Sequence, residues 1–221
     1  MKLSQRFSDN DLQRIKSAVK EAEDKISGEI VPVIVERSDR YSAAYYKGSI
    51  FMAALTFVSI IIMDRYVVAD ASHTLLYDPM FIFIVITIGG VIGGLLPAFF
   101  TALKRALIGQ DEMDRVTRLR AENAFLEEEV FNTRFRTGIM IFVSFFEHEV
   151  IVMADKGITK VVDQKEWDKM VRDLIDGIRA GRITDGIEAS IKRCGELLLE
   201  KGFLKTDDDV NELRDDLRID G

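Results

Sequence analysis

The sequence predicts an α/β domain, a three-layer α/β/α sandwich, interrupted by a two-helix transmembrane hairpin. Three observations predict it. Two uncharged apolar stretches, residues 48–63 and 80–103, stand inside a chain that is 30% charged. Short runs apolar on both faces, residues 29–36, 138–146 and 149–154, read as buried strands. Helical periodicity with end signals flanks those strands on both sides, which is the pattern of helices covering a sheet.

Residues 8–27 form an amphipathic helix. Leu12, Ile15, Val19, Ala22 and Ile26 recur at spacings of three and four, and Ser8 with Asp11 gives an N-cap and its reciprocal partner. Phe7 is placed to staple onto Leu12, and Gly28 to end the helix. Residues 29–36, EIVPVIVE, then read as a strand in which Pro32 favours an edge or a bulge.

The second apolar stretch has 24 residues, and a helix of that length spans ~36 Å against a hydrocarbon core of about 30 Å. The first has 16, a length completed if Arg65 reaches the interface. Arg37, Arg40 and Lys47 precede the pair, and Lys104, Arg105, Arg115, Arg118 and Arg120 follow it. The segment between carries Arg65 with Asp64, Asp70 and Asp78. Positive residues concentrate on the cytoplasmic side. Both termini are therefore expected in the cytoplasm of a bacterial inner membrane protein, with the linker outside. The N-terminus has no apolar signal-peptide region, so the first span is expected to target the chain.

Beyond the hairpin, residues 111–132 read as a helix with Val116, Leu119, Ala124, Phe125 and Val130 on its apolar side. Residues 138–146 and 149–154 form a β-hairpin about Glu147 and His148. Asp163 starts a helix with a capping-box partner in Glu166, a Val162–Trp167 staple, and a stripe of Trp167, Val171, Leu174, Ile175 and Ile178. Thr184 caps a last helix carrying Ile187, Ile191, Cys194 and Leu198, and Gly202 ends it. Residues 205–221 are acidic and expected to be loose. The resulting division is 1–47 and 106–204 for the two parts of one domain, 48–105 for the hairpin and 205–221 for the tail.

The net charge of −7 leaves no basic stripe for phosphates, which excludes a nucleic-acid binder. The single Cys194 excludes an intramolecular disulfide and reads as a core residue. His73 falls in the linker and His148 in a turn. A Ser144–His148–Asp155 triad has no spacing behind it, and no catalytic residue is assigned. Asp155, after a buried strand, and Asp163, close behind, are the candidates for part of a calcium shell, although capping and turn roles explain both. Gly89/Gly93 and Gly90/Gly94 form small-xxx-small pairs suited to close helix contact, either between protomers of a homo-oligomer or within the hairpin.

Several pieces together resemble the TPM domain family: Ala121 and Phe125, Thr133, Arg136-Thr137-Gly138, the strand ending in Ser144, Glu147, Ala154-Asp155 and Gly157-Ile158. Trp167, Arg179, Gly181, Gly186-Ile187 and Asn211-Glu212-Leu213 continue the likeness, as do the first helix and Gly28-Glu29-Ile30. The likeness is to bacterial membrane proteins with a hairpin inserted in the domain. It implies an α/β/α sandwich. It implies weak acid phosphatase activity and calcium binding in some plant members, and accessory or repair roles in others. The Gly-Leu-Glu signature of that family is here reduced to Gly157-Ile158-Thr159. The function expected is a membrane-anchored accessory or scaffolding domain that binds a membrane or cytosolic protein. The alternative is a membrane-tethered, metal-dependent phosphatase.

Overall fold

A computed structural model describes residues 3–66, 78–206 and 208–220, with only the backbone for residues 4 and 5. The linker residues Asp70, Ser72 and His73 lie outside the described residues. The chain divides into two compact units, Met1–Asp39 with Asp114–Gly221, and Arg40–Met113.

The first unit is mixed α/β. Its helix α1, Asp9–Glu23, begins with the expected capping box: Asp11 N–H donates to Ser8 Oγ at 3.2 Å and Ser8 N–H to Asp11 Oδ2 at 2.9 Å. It stops at Asp24, four residues short of Gly28. Gly28 serves another purpose, because a Cβ there would meet the Thr137 carbonyl at 2.9 Å and Leu198 Cδ1 at 3.0 Å. It lets the chain pass between two neighbours rather than turn off a helix.

Strands β1 (Glu29–Val35), β2 (Gly138–Ser144), β3 (Glu149–Ala154) and β4 (Arg218–Asp220) form one sheet in the order β3-β2-β1-β4. β1 is parallel to β2 and β4, and β2 and β3 form the antiparallel hairpin. All seven residues of β1 and of β2 are buried. Along β1, Ile30 and Ile34 enter one apolar cluster, and Val31, Val33 and Val35 a second. That alternation is what a strand covered on both faces requires.

β1 is an inner strand, contrary to the edge position suggested by Pro32. The reconciliation is local. Glu36 N–H donates to the Asp220 carbonyl of β4, so strand alternation points the Pro32 nitrogen to that same side. β4 pairs only with Val33–Val35, so no ladder donor is needed at Pro32.

The first cluster joins Ile15, Val19 and Ala22 of α1 to helices α7 (Gln164–Arg179) and α8 (Ile183–Glu200), through Trp167, Leu174, Ile191 and Leu198. Short helix α6, Lys156–Thr159, precedes them. The second cluster takes Ala121, Ala124 and Phe125 from helix α5, Gln110–Glu127. Of the expected stripe, Ala124, Phe125 and Val130 enter this cluster, whereas Leu119 is exposed and Thr117 and Ala121 are buried on α5 as well. Neither late helix has the expected side-chain cap. Asp163 precedes α7 without one, and Glu166 pairs with Arg193 instead. α8 starts at Ile183, before Thr184, and closes at Gly202 and Phe203, whose N–H groups reach Leu199 and Leu198.

The acidic C-terminal stretch is not loose. It supplies β4, ties Asp216 to Lys16 at 2.8 Å and Asp220 to Arg120 at 2.5 Å, and gives its Glu212 and Leu213 N–H groups to Glu29. Asp208, Asp216 and Asp220 each pair with a basic residue far away in sequence, which composition alone does not reveal.

The second unit contains α2 (Ala43–Tyr66), α3 (Pro79–Phe99) and α4 (Thr101–Ile108). α2 and α3 are long and apolar enough to cross a membrane by length and composition. α2 runs beyond the 16-residue apolar stretch at both ends. α3 ends before residue 103, at the extended backbone of Phe100, one turn past Pro97. Asp78 caps α3 by accepting from the N–H groups of Met80 and Phe81, with Pro79 at its first position. Lys47 donates to the Leu107 carbonyl at 2.9 Å, a cation at a helix C-terminus. Lys104 donates to the Arg40 carbonyl at 2.8 Å and lies over the Tyr45 ring.

Candidate functional site

The sequence-derived candidates separate in space. Asp155 follows β3, at the end of the hairpin opposite Ser144 and His148. Ser144 is bonded to Glu147, so the three residues form no triad. His148 is exposed in the turn, with a left-handed φ of 56°. Asp155 is 5% exposed, caps α6 by accepting Lys156 N–H at 2.6 Å, and pairs with Arg136 at 2.8 Å. Its charge is thus neutralised by a guanidinium. Among the described residues, no three of His, Cys, Asp and Glu converge as a metal shell would require. Cys194 is fully buried 3.5 Å from Met170 Sδ, and burial pushes its thiol up to about 12.

Gly89, Gly90, Gly93 and Gly94 all face α2. A Cβ on Gly93 would collide with the Gly48 carbonyl and Met52, and one on Gly89 with Thr56. Gly90 and Gly94 have ordinary clearance, with Ser49 nearest at 3.4 and 3.5 Å. Contact within the hairpin therefore occupies these glycines.

Two groups of buried carboxylates, none of them among the site candidates read from the sequence, mark the two ends of the parallel strands. Beyond the carboxyl ends of β1 and β2, Glu147 is 1% exposed. It accepts Ser38 N–H at 2.8 Å and the Ser144 hydroxyl, while Ser38 Oγ lies 3.2 Å from Ser144 Oγ. Nearby Glu149 is raised to about 7, by burial first and then by Asp114.

At the opposite end, a cavity of about 150 Å³ is lined by Lys20, Glu23, Asp24, Glu29, Lys205 and Asp209, with Ile26 and Val210 among its apolar walls. Glu23 comes from the last turn of α1, on the same face as Val19 and Ala22. Glu29 opens β1. They are 7% and 6% exposed. Both oxygens of Glu29 are occupied, by the Glu212 and Leu213 N–H groups at 3.0 and 3.2 Å. Glu23 Oε1 accepts Ile30 N–H at 2.8 Å, but Oε2, though buried, finds no hydrogen-bond partner among the described residues. Burial, with Glu29 and Asp215 adding like charge, pushes the Glu23 carboxyl up to about 8, against the opposing effect of the Ile30 bond. Burial likewise raises Glu29. Lys205 donates to the Glu23 carbonyl at 3.0 Å and lies 3.8 Å from Asp24.

A second depression, of about 370 Å³, lies between α7 and α8. Met170 and Leu174 form its apolar part, and Glu166, Lys169, Asp173, Lys192 and Glu196 its charged lining.

Comparison with known proteins locates the fold. The chain is similar to the NMR structure of the BA42 protein from the psychrophilic bacterium Bizionia argentinensis, with a TM-score of 0.56 and 16% identity over 96% of this chain and 94% of that one. No protein family and no curated protein matches the sequence.

Proposed function

We propose that this chain is a membrane-anchored accessory domain of the TPM kind that binds another protein at the cytoplasmic face of a bacterial inner membrane. The observation that carries the reading is the outward apolar surface of α2 and α3. Ile50, Phe51, Phe83, Val91 and Leu95 are all more than half exposed on helices of ~36 and ~32 Å. Such a surface is costly in water and matches a hydrocarbon core. In this reading the two helices cross the bilayer as a hairpin, both termini are cytoplasmic, and the glycines hold the hairpin closed.

The α/β unit buries its own two clusters and pairs its own C-terminal stretch. In this reading it is a three-layer α/β/α sandwich held at the membrane surface. Asp155 serves it as a structural carboxylate. The partner comes from the membrane or from the cytosol.

Affinity purification in mild detergent tests this. A partner should co-purify in constant ratio and should retrieve this chain when it is itself the bait. Recovery of the chain alone, together with metal-dependent turnover of an aryl phosphate, would replace the accessory reading with the phosphatase.

A further inference from the structure

The two edges of the sheet are built differently. β4, at one edge, has three residues, with Arg218 held by Glu128 and Asp220 by Arg120. A short, charged edge strand resists pairing with another chain. β3, at the other edge, has six residues, EVIVMA, with no Lys, Pro or Gly to blunt it. Asp155 N–H donates to the Gly138 carbonyl at 2.9 Å, and in that register the backbone groups of residues 149, 151 and 153 turn toward β2. Those of Val150, Val152 and Ala154 turn away from it. Val150 is buried, but residues 151–154 are partly exposed. Within that open stretch, the N–H and C=O groups of Val152 and the N–H of Ala154 have no hydrogen-bond partner among the described residues.

Both apolar clusters end at this strand. Val152 and Ala154 pack against the first, Ile151 and Met153 against the second, and all four stay partly exposed while β2 beside them is buried throughout. Just past the open stretch, Lys156 is exposed and pairs with no carboxylate among the described residues, and Arg136 already neutralises Asp155.

We propose that β3 is where the partner protein is held: an extended, apolar segment of the partner adds to the sheet as a further strand on Val152 and Ala154, with an Asp or Glu beside Lys156. The proposal rests on the partner-binding reading and says how the partner is recognised. Unpaired main-chain donors and acceptors call for an extended backbone, because a helix satisfies its own. Alternate side chains of the added strand would continue the two clusters, one on each face of the sheet. The unpaired Lys156 selects an acidic residue beside it. A second copy of this chain fits less well. A closed pair needs its two β3 strands antiparallel about a two-fold axis, which points the two β1 strands in opposite directions. Each β1 leads through residues 36–42 into α2. The two hairpins would leave opposite ends of the shared sheet, which does not suit two anchors in one bilayer.

The test uses the full chain in detergent with the peptide acetyl-Glu-Val-Thr-Val-Thr-Val-amide. Its controls are the same peptide N-methylated throughout and one with Lys in place of Glu. The first peptide should bind at least about tenfold tighter than the N-methylated one and about two- to fivefold tighter than the Lys one. Hydrogen exchange at Val152 and Ala154 should slow at least about tenfold when it binds, while Ile151 and Met153, already in the ladder, change little. Val152→Pro removes an outward N–H and spares the β2 ladder, and should weaken binding about tenfold. Should that variant fail to fold, Lys156→Glu decides, because it should invert the preference between the Glu and Lys peptides. No binding at millimolar peptide, equal binding of the N-methylated peptide, unchanged exchange at Val152 and Ala154, or full binding by Val152→Pro would overturn the proposal. Slow exchange at those two amides without peptide, lost on dilution, would overturn it in favour of a second copy. A partner that co-purifies equally with wild type and Val152→Pro overturns the edge assignment and leaves the accessory reading standing. Peptide binding with no co-purifying partner removes the accessory reading and supports the edge as a strand-accepting site.

Discussion

Glu23 Oε1 accepts the Ile30 N–H at 2.8 Å, so a side chain at the end of α1 takes the place of a missing strand partner at the start of β1. On that side β4 reaches only Val33–Val35, and Pro32 carries no N–H. The one ladder donor left over is the Ile30 N–H, and Glu23 covers it. A buried carboxyl is thereby a structural element of the sheet as well as the wall of a cavity.

This arrangement predicts an unusual pH dependence. Glu23 and Glu149 have folded-state pKa values of about 8 and about 7, above the ordinary 4.5. The native state therefore binds more protons than the unfolded chain between those limits. Stability should be highest near pH 4.5 and fall as pH rises to about 8. Denaturant titrations from pH 5 to 8.5 measure this. Glu23→Gln should flatten most of the slope, whereas Glu23→Ala should cost about 1–3 kcal/mol at pH 5 by leaving Ile30 N–H unpaired. Burial raises Glu29 as well and leaves it a share of the slope, so a slope that survives Glu23→Gln, Glu149→Gln and Glu29→Gln combined would contradict the assignment.

Glu29 fastens the C-terminal stretch. Glu29→Ala removes the acceptor of the Glu212 and Leu213 N–H groups and should loosen β4. Hydrogen exchange at Glu36, whose N–H donates to Asp220, should accelerate at least about tenfold, while exchange in β2 stays slow. Uniform acceleration across β1 and β2 would mean that Glu29 supports the whole sheet.

Much of the fold was legible because it rests on local rules. The Ser8–Asp11 cap, the doubly apolar strands, the β2–β3 hairpin and the two long apolar helices each follow from spacing or composition. The errors fall where a distant partner decides. Pro32 is tolerated inside the sheet because β4 is short, and β4 comes from residues nearly two hundred positions later. Gly28 looked like a helix stop because Thr137 and Leu198 were invisible to it. The candidate cavity was hidden for a related reason. Glu23 and Glu29 look like ordinary surface carboxylates in a chain with 37 acidic residues. A weak clue existed in Glu23, which lies four residues after Val19 on the buried face of α1.

Within the helical hairpin, the glycines predict unequal tolerance. Gly93→Ala should weaken the α2–α3 contact, because the new methyl meets the Gly48 carbonyl and Met52. Gly94→Ala should be nearly neutral, since its nearest neighbour is at 3.5 Å. Thermal unfolding in detergent distinguishes them, and a Gly93→Ala midpoint equal to wild type would contradict the packing.

Asp155 is predicted to be structural. Its partners are Arg136 and the Lys156 N–H, so Asp155→Asn should lower stability by roughly 1–3 kcal/mol. Aryl phosphate hydrolysis by the purified chain should stay at background with calcium or magnesium. Robust metal-dependent turnover abolished by Asp155→Asn or Asp163→Asn would instead place catalysis there.

The most direct test of the membrane-anchored reading is cysteine accessibility in intact cells, on a Cys194→Ser background. A cysteine at Ser72 should react with a membrane-impermeant reagent, and one at Ser4 should react only after permeabilisation, because positive charge flanks the hairpin and is sparse within its linker. The chain should remain with the membrane after alkaline extraction. Labelling at Ser4 with protection at Ser72, or release of the chain into the alkaline supernatant, would contradict the account.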